Sequence, residues 1–311
     1  MILTVTLNAA LDITYKVAAL TPHTTHRVGE VTERPGGKGV NVARVLAALG
    51  HETVVTGFAG GSTGAVLREM LAPLAPHDAL VECAGTTRRT LAVADETSGD
   101  TTQLNEPGPA IAPEEWTAFL SSYDSLLREA EAVALCGSLP PGIHVGAYAE
   151  LVRRARAAEV PVLLDTSGEP LRRGIAARPD LIKPNADELA QLTGSREPLR
   201  ATRDARRRGA HTVVASLGPD GLLAATPDGT WQAGPPEPVK GNPTGAGDSA
   251  VAGLLSGLIT GLSWPERLSR AVALSAATVL APAAGEFDAA AYADLLPRIT
   301  TAEHTAAATG K

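Results

Sequence analysis

Residues 242–249 have the composition of an anion-binding turn with an acid beside it. Their sequence is NPTGAGDS, and an apolar helical pattern follows directly. Glycines let the backbone turn sharply and let a ligand touch the main chain, while the free N–H groups at a helix start attract anions. An acid beside bound phosphate needs a purpose, and removing a proton from an attacking hydroxyl is one. Asp248 is therefore a candidate general base, with helix capping as the alternative role.

The same segment also fits a dinucleotide-binding fingerprint, because Gly245, Gly247 and Ala250 have the spacing GxGxxA. That fingerprint follows the first strand of a βαβ unit and has an acid about 20 residues further on. Here Pro243 precedes the glycines, and Trp264 rather than an acid lies near that spacing. The context therefore disfavours an NAD site.

A second glycine-rich turn, PGGKGVNVARVL at residues 35–46, also leads into a predicted helix. Lys38 and Asn41 lie in the first turn of that helix. Lys38 could pair with a phosphate, and Asn41 could hydrogen-bond sugar hydroxyls. The segment is not a Walker A loop, because Gly39 rather than Ser or Thr follows the lysine. The alternative is an ordinary glycine turn with a solvated lysine.

Two further turns hold weaker candidates. In KPNADEL, residues 183–189, Asn185 and Glu188 have capping-box spacing, and the same side chains could hold Mg²⁺ through water. The two roles do not exclude each other. In SLGPDGLL, residues 216–223, a strand turns back through Gly and Pro, which alone indicates a hairpin. Weaker still on their own are Arg88, Arg27, Asp12 and Ser138.

Alternating strands and helices are the framework that would bring these turns together. Strand-like runs lie at 53–58, 132–136, 161–165, 180–183, 211–216 and 221–225. Helical patterns lie at 63–72, 113–130, 145–158, 186–193, 248–260 and 264–280. The alternation predicts an α/β fold with a mostly parallel central sheet flanked by helices.

Two segments, 11–33 and 87–105, break this alternation and predict a small antiparallel sheet built from separate insertions. No stretch is rich enough in Gly, Ser or Pro to divide the chain. We therefore predict one domain over residues 1–300 and a flexible tail over 301–311.

Composition excludes several classes of partner. The 311 residues carry a net charge of −7, which disfavours general binding to nucleic acid or anionic membranes. The two cysteines, Cys83 and Cys136, have no metal spacing, and no apolar run is long enough to span a membrane. We predict a cytoplasmic protein without nucleic-acid or membrane partners. An anionic ligand would have to meet basic residues gathered at one place.

Taken together, the motifs resemble those of the ribokinase-type sugar kinases, the PfkB family. In chain order they are TLNAALD, PGGKGVNVAR, GSLPPG, KPNADE, SLGPDG and PTGAGDS, and the resemblance runs from residue 1 to about 296. It implies a ribokinase-like fold whose small sheet is a β lid over the sugar and a homodimer contact. TLNAALD, Thr87 with Arg88, and NEPGP at 105–109 resemble the branch that acts on ketohexose phosphates, which includes 1-phosphofructokinases and tagatose-6-phosphate kinases.

This resemblance implies an ATP- and Mg²⁺-dependent kinase of a sugar phosphate. The first expectation is conversion of fructose 1-phosphate to fructose 1,6-bisphosphate, and the alternative is conversion of tagatose 6-phosphate to tagatose 1,6-bisphosphate. Further alternatives are a kinase of an unphosphorylated sugar and a non-catalytic sugar-phosphate sensor. Lys38 and Arg88 argue against a neutral sugar, which needs no cluster of cations, and Asp248 argues against a sensor.

The resemblance also implies a role for each motif residue. Asp248 would be the base, and the amides of Gly245, Ala246 and Gly247 would form an anion hole. The sugar phosphate would be bound by Asp12, Gly37, Lys38, Asn41, Arg88, Ser138 and Arg27. The nucleotide would be bound by Lys183, Asn185, Glu188, Ser216, Gly218 and Gly221, and Mg²⁺ by Asn185 and Glu188 through water. Thr90, where the family commonly has Asn, and the extra charge of Arg89 are departures near the sugar.

Overall fold

The computed structural model describes residues 1–74, 76–281 and 283–304, whose strands and helices alternate along the chain. The strands are β1 (Ile2–Thr6), β2 (Ala10–Val17), β3 (Glu30–Gly36), β4 (Thr53–Ala59), β5 (His77–Glu82), β6 (Arg88–Asp95), β7 (Thr101–Asn105), β8 (Ala132–Cys136), β9 (Val162–Asp165), β10 (Leu181–Ile182), β11 (Thr212–Ser216), β12 (Leu222–Ala225), β13 (Thr230–Gly234) and β14 (Thr300–Glu303). The helices are α1 (Lys38–Ala48), α2 (Gly61–Leu71), α3 (Pro113–Leu127), α4 (Ala147–Ala157), α5 (Gly168–Ala176), α6 (Ala186–Thr193), α7 (Pro198–Arg207), α8 (Ala246–Ile259), α9 (Trp264–Val279) and α10 (Ala289–Leu295).

A large sheet runs through the molecule in the strand order β14-β13-β12-β11-β10-β9-β8-β1-β4-β5. Every neighbouring pair from β11 to β5 is parallel, and β12, β13 and β14 continue the sheet in antiparallel pairs. Strands such as β1 and β8 are apolar and buried throughout, as expected of parallel strands covered on both faces. The predicted mostly parallel sheet is confirmed.

Helices cover both faces of this sheet. On one face α3 and α4 contribute Phe119 and Leu151 to the core, and on the other face α1 and α8 contribute Leu46 and Leu254. Helices α1 and α8 pack against each other, and a hydrogen bond between Asn41 and Asp248, in their first turns, shows that their N-termini lie together. Within the described ranges, no helix combines the length and apolar character that crossing a bilayer requires.

The second, small sheet has the order β3-β2-β6-β7 and is formed by the two predicted insertions. The pairs β2–β3 and β6–β7 are antiparallel, and the two pairs are joined by parallel pairing of β2 with β6. One consequence is that Arg88 lies opposite Ala10 and Thr90 opposite Asp12. Candidate residues from separate insertions are therefore neighbours.

The end of the described chain differs from the predicted flexible tail. Residues Thr300–Glu303 form β14, which pairs with β13 from Gly234↔Thr300 to Trp231↔Glu303. The physical reason is that β13 would otherwise leave a row of unpaired backbone groups at the sheet edge. The rest of the tail prediction, residues 305–311, lies outside the described residues.

Candidate active site

The predicted motifs lie along the carboxyl edge of the large sheet. Asn8 follows β1, Ser138 follows β8, Asp165 ends β9, Lys183 follows β10 and Ser216 ends β11. These strands are parallel neighbours, so the loops after them meet at one edge, which is where open α/β sheets bind ligands. The topology therefore brings together residues that are far apart in the sequence.

Two glycine-led helix starts meet at this edge. Gly37 before α1 has a φ of 106° and Gly245 before α8 has a φ of 85°, a region that other residues rarely adopt. A Cβ would also collide, lying 2.7 Å from Thr6 Cγ2 at the first position and 2.8 Å from Ala284 Cα at the second. Neither start has a side-chain cap, so its N–H groups are left for a ligand or solvent.

The amides at the start of α8 are not equivalent. The N–H of Ala246 donates to the Pro243 carbonyl at 3.1 Å, so that amide is already engaged. Among the backbone bonds of the described residues, the N–H groups of Gly245, Gly247 and Asp248 have no acceptor. The predicted anion hole therefore has free amides at Gly245 and Gly247, with Asp248 rather than Ala246 supplying a third.

Asp248 is buried, and its carboxylate Oδ2 accepts a hydrogen bond from Asn41 Nδ2 at 2.8 Å. The start of α8 has no side-chain cap, so capping is not the role of this acid here. Burial raises the pKa of Asp248 to about 6, against the opposing effects of Lys38 and the Asn41 bond. The carboxylate is thus still mostly ionised at neutral pH but is more basic than an ordinary aspartate, as a general base should be.

Asp165 is a site residue that the sequence analysis missed. It is buried between two lysines, with Oδ2 3.3 Å from Lys38 Nζ and Oδ1 3.3 Å from Lys183 Nζ. Burial alone would raise the pKa of Asp165, but the two ammonium groups lower it below its usual value. The same carboxylate raises the pKa of Lys38. The sequence did contain a signal for this site residue, because Asp165 is an acid at the end of the apolar strand VLLD.

Lys183 brings positive charge to the start of α8. Its side chain is only 5% exposed, and a Cβ built on Gly247 would lie 3.5 Å from its Nζ. Lys38 also acts on Asp248 through its charge. In a chain whose net charge is negative, two lysines and two open helix ends thus converge on one point.

A cleft of about 410 Å³, here called the small cleft, lies between the small sheet and the large one. Lys38, Arg88 and Ser138 line it, as predicted for substrate contacts. The Arg88 guanidinium is held by neutral acceptors, with Nε 3.1 Å from the Asn8 carbonyl oxygen and Nη1 3.4 Å from Thr90 Oγ1. Within the described residues, this arginine forms no salt bridge, although the nearby charges of Asp12 and Glu106 act on it.

The other predicted sugar ligands differ in their positions. Asp12 lies against Gly36, where a Cβ would come within 2.2 Å of its carboxylate. Burial raises the pKa of Asp12 to about 6, opposed by a hydrogen bond from Thr90 and by the charges of Arg88 and Arg44. Arg27 lies in the exposed loop between β2 and β3, and its contact with substrate stays a prediction.

Arg89, the additional charge, is paired with Glu106 at 2.7 Å on the exposed part of the small sheet. It lines a separate cavity of about 420 Å³ with Ile13, Leu91 and Leu104 and does not line the small cleft. Its partner Glu106 does line the small cleft, and an influence of Arg89 on the sugar side stays a prediction.

A larger cavity of about 860 Å³, here called the large cavity, lies on the other side of the α8 start. The predicted nucleotide residues that line it are Asn185, Ser216, Gly218 and Gly221. Gly247 joins them, and the apolar part of the wall is formed by Leu222, Val239, Val272, Ala276 and Val279. Lys240 is also part of the lining, whereas the predicted nucleotide ligands Lys183 and Glu188 are not. An apolar wall beside the Gly247 amide and a lysine fits a nucleotide, whose base is flat and apolar and whose phosphates are anionic.

The capping box at the start of α6 is present. Glu188 N–H donates to Asn185 Oδ1 at 2.8 Å, and Asn185 N–H donates to Glu188 Oε2 at 2.9 Å. Within the described ranges, no group of three or more His, Cys, Asp or Glu side chains could hold a metal. Mg²⁺ is usually held by one or two carboxylates together with waters and substrate phosphates, so Glu188 and Asn185 fit an ion whose shell is completed by waters and nucleotide phosphates.

A doubly covered α/β sheet with a buried acid between a cationic cleft and a nucleotide-sized cavity defines a sugar-kinase type of enzyme. Residues 5–290 match the family model described as pfkB family carbohydrate kinase. The chain belongs to this family.

Individual relatives agree with that assignment. The chain is 38% identical over 289 residues to 1-phosphofructokinase of Rhodobacter capsulatus, which covers 90% of this chain and 92% of that protein. It is similar to phosphofructokinase-2 of Escherichia coli in complex with potassium, with a TM-score of 0.88, 30% identity and coverage of 96% and 98%. The same Escherichia coli protein in complex with fructose-6-phosphate gives a TM-score of 0.87 and 31% identity, with coverage of 96% and 98%. The predicted ribokinase-like fold is confirmed.

Proposed function

We propose that this protein transfers the γ-phosphoryl group of ATP to the free primary hydroxyl of fructose 1-phosphate, giving fructose 1,6-bisphosphate. The observation that carries the proposal is the position of Asp248. Its chain neighbour Gly247 lines the large cavity, and Lys38, whose charge acts on it, lines the small cleft. A base at this junction can serve an acceptor on one side and a phosphoryl donor on the other.

Asp248 would take the proton of the acceptor hydroxyl as the phosphoryl group leaves the nucleotide. Asn41 would orient the carboxylate, and Lys38 would favour its ionised form before reaction. The free amides at the start of α8 and the Lys183 ammonium would hold the transferring phosphoryl group, whose loose transition state is stabilised mainly by positioning and charge. When bound, Mg²⁺ would supply charge neutralisation at the ATP phosphates.

The phosphate already on the sugar would lie in the small cleft. Arg88 and Lys38 would pair with it, and Ser138 would donate a hydrogen bond. Asp12, Gly37 and Asn41 would hold the sugar hydroxyls, an assignment that rests on the family resemblance. Arg27 would be a further phosphate ligand on the same ground. A second candidate is fructose 6-phosphate, because the Escherichia coli relative was solved in complex with that compound.

Asn185 and Glu188 would hold Mg²⁺ through water at the nucleotide phosphates. Ser216, Gly218 and Gly221 would contact the nucleotide, since all three line the large cavity. We further propose a homodimer through the small sheet, where Val31 and Leu104 are 56% and 57% exposed. A cytoplasmic location is proposed from the metabolic role, and both cysteines are free thiols.

A coupled ADP-release assay over a panel of sugars tests the proposed reaction. The panel contains fructose 1-phosphate, fructose 6-phosphate, tagatose 6-phosphate, free fructose and free tagatose. We expect the highest kcat/KM with fructose 1-phosphate. Highest activity with a free sugar, or no ADP release with any phosphorylated sugar, would overturn the proposal.

A further inference from the structure

Asn8 makes hydrogen bonds to three other residues of the small cleft, although it has no role in the proposed reaction. It follows β1 and is 6% exposed. Its side-chain Nδ2 donates to Ser138 Oγ at 3.2 Å and to the Pro107 carbonyl oxygen at 3.1 Å. Its own carbonyl oxygen accepts from Arg88 Nε at 3.1 Å. All four residues line the cleft.

The chemistry of these partners fixes the orientation of the Asn8 amide. The Pro107 carbonyl is only an acceptor, so the NH₂ group rather than the oxygen must face it. Gly108 closes the other side, since a Cβ there would lie 2.2 Å from Asn8 Oδ1. The second N–H of the same amide is therefore directed to Ser138 Oγ, and an amide turned over would lose the bond to the Pro107 carbonyl, which cannot donate.

This orientation determines which donors remain for a ligand. The Ser138 hydroxyl accepts from Asn8, so its one proton remains available to an acceptor elsewhere. Arg88 has Nε committed to the Asn8 carbonyl, while Nη1 makes only long contacts of 3.4 Å to Thr90 and 3.5 Å to the Glu106 carbonyl. Asn8 thus fixes one end of Arg88 and leaves its terminal donors to the cleft.

We propose that Asn8 is a positioning residue for the substrate phosphate. Its side chain acts through Ser138, presenting the proton of that hydroxyl to the anion that Arg88 also binds, while the bond to Arg88 Nε comes from the backbone carbonyl of Asn8 and does not depend on the side chain. This inference rests on the proposed function, because it takes the ligand of the small cleft to be the phosphate of a sugar phosphate.

The competing explanation is that Asn8 only fastens the loop at 105–109 to β1. A fastening role predicts lower stability for Asn8→Ala with unchanged affinity for the sugar phosphate. A positioning role predicts a loss of affinity that depends on Ser138. The two roles therefore differ in affinity rather than in stability.

The test is a double-mutant cycle of Asn8→Ala and Ser138→Ala, measured as the Kd for fructose 1-phosphate by calorimetry and as KM for both substrates. We expect Asn8→Ala to weaken fructose 1-phosphate about tenfold, the scale of one charge-assisted hydrogen bond, with KM for ATP within about twofold of wild type. Adding Ser138→Ala should weaken binding by less than the product of the two single effects.

Two further variants keep the test decisive. Tyr123→Phe removes a buried hydrogen bond to the Leu151 carbonyl outside both cavities, so it is the control for lost stability alone. If Asn8→Ala does not fold, Asn8→Asp has nearly the same shape but cannot donate to Ser138 or Pro107, and it should weaken fructose 1-phosphate at least as much.

Affinity in Asn8→Ala equal to that in Tyr123→Phe, or single effects that multiply fully in the double mutant, would overturn the inference. A wild type that binds fructose 1-phosphate without turning it over would contradict the proposed function alone. Normal turnover in wild type with an unchanged Kd in Asn8→Ala would contradict this inference alone.

Discussion

The small cleft and the large cavity attract anions by different means. In the small cleft the positive charge is carried by side chains, and Arg88 is held there by neutral acceptors only. In the large cavity the free amide of Gly247 lies beside an apolar wall, and Lys240 is also part of the lining. Lys183 lies near that amide but shares the Asp165 carboxylate with Lys38.

This difference fits the two phosphate groups of the proposed reaction, of which one stays on the sugar and the other is transferred from ATP. A phosphate that stays on the sugar needs only to be held, and a fixed cation does this well. A phosphoryl group in transfer changes its charge distribution, and amides at a helix start provide directed donors without a counter-ion. Mutations in the small cleft should therefore change the affinity for the sugar phosphate, and mutations in the large cavity the affinity for ATP. A mutation of Asp248, which lies between them, should change neither affinity strongly.

The largest effect is expected at that junction. Asp248→Asn should lower kcat by about 10²-fold or more, because the amide cannot accept the hydroxyl proton. The KM values for both substrates should change little, since an amide oxygen can still accept the bond from Asn41. Steady-state kinetics at saturating substrate check this prediction. A kcat within about threefold of wild type would show that Asp248 is not the base.

Arg88→Ala should affect the small cleft alone. A charge-assisted hydrogen bond contributes about 1.5–3 kcal/mol, so KM for the sugar phosphate should rise about 10- to 100-fold while KM for ATP stays constant. The matched control is the adjacent Arg89→Ala, which removes an exposed arginine that does not line the cleft, although its partner Glu106 does. Similar KM changes in the two variants would remove Arg88 from the phosphate site.

Mutation of Lys38 should affect both substrate binding and the base, because Lys38 lines the small cleft and also lowers the pKa of Asp248. In wild type, kcat/KM should fall as the pH falls through about 6, where Asp248 becomes protonated and can no longer accept a proton. Lys38→Ala should move this acid limb to higher pH in addition to raising KM for the sugar phosphate.

Asp12, whose pKa is also raised to about 6, provides the control for that pH profile. Asp12→Asn should weaken the binding of the sugar phosphate, but kcat/KM should still fall as the pH falls through about 6. If the acid limb disappears in Asp12→Asn, the pH dependence belongs to Asp12 and not to Asp248. If the acid limb is unchanged in Lys38→Ala, the charge of Lys38 does not set the pKa of Asp248.

The smallest effect is expected at the metal side of the large cavity. Glu188→Gln should raise the magnesium concentration for half-maximal rate by up to about tenfold, because the amide supplies no negative charge to the metal shell. Its oxygen can still accept the Asn185 N–H bond, so the melting temperature should stay close to that of wild type. Lower stability with unchanged magnesium dependence would leave capping as the only role of this residue.

Local patterns were sufficient to predict most of the framework. The apolar runs predicted β4 and β8 to β12 of the large sheet but missed β5 and β13, and the glycine-led turns predicted the starts of α1 and α8. Pairing between distant residues was not predictable in this way. Asp165 was missed because one of its lysines, Lys38, lies 127 positions away in the chain. The strand β14 was missed because its TTAE sequence has no strand-like apolar pattern, and it forms by pairing with the edge of β13.

The most direct test of the central claim compares the two forms of one sugar. We would measure kcat/KM for fructose 1-phosphate and for free fructose with wild type, Arg88→Ala and Arg89→Ala. Wild type and Arg89→Ala should prefer the phosphorylated form strongly, and in Arg88→Ala the preference should narrow by about tenfold or more, because free fructose never made the lost contact. An equally strong preference in all three proteins would remove Arg88 from the phosphate site, and a wild type that does not prefer the phosphorylated form would favour a kinase of neutral sugars.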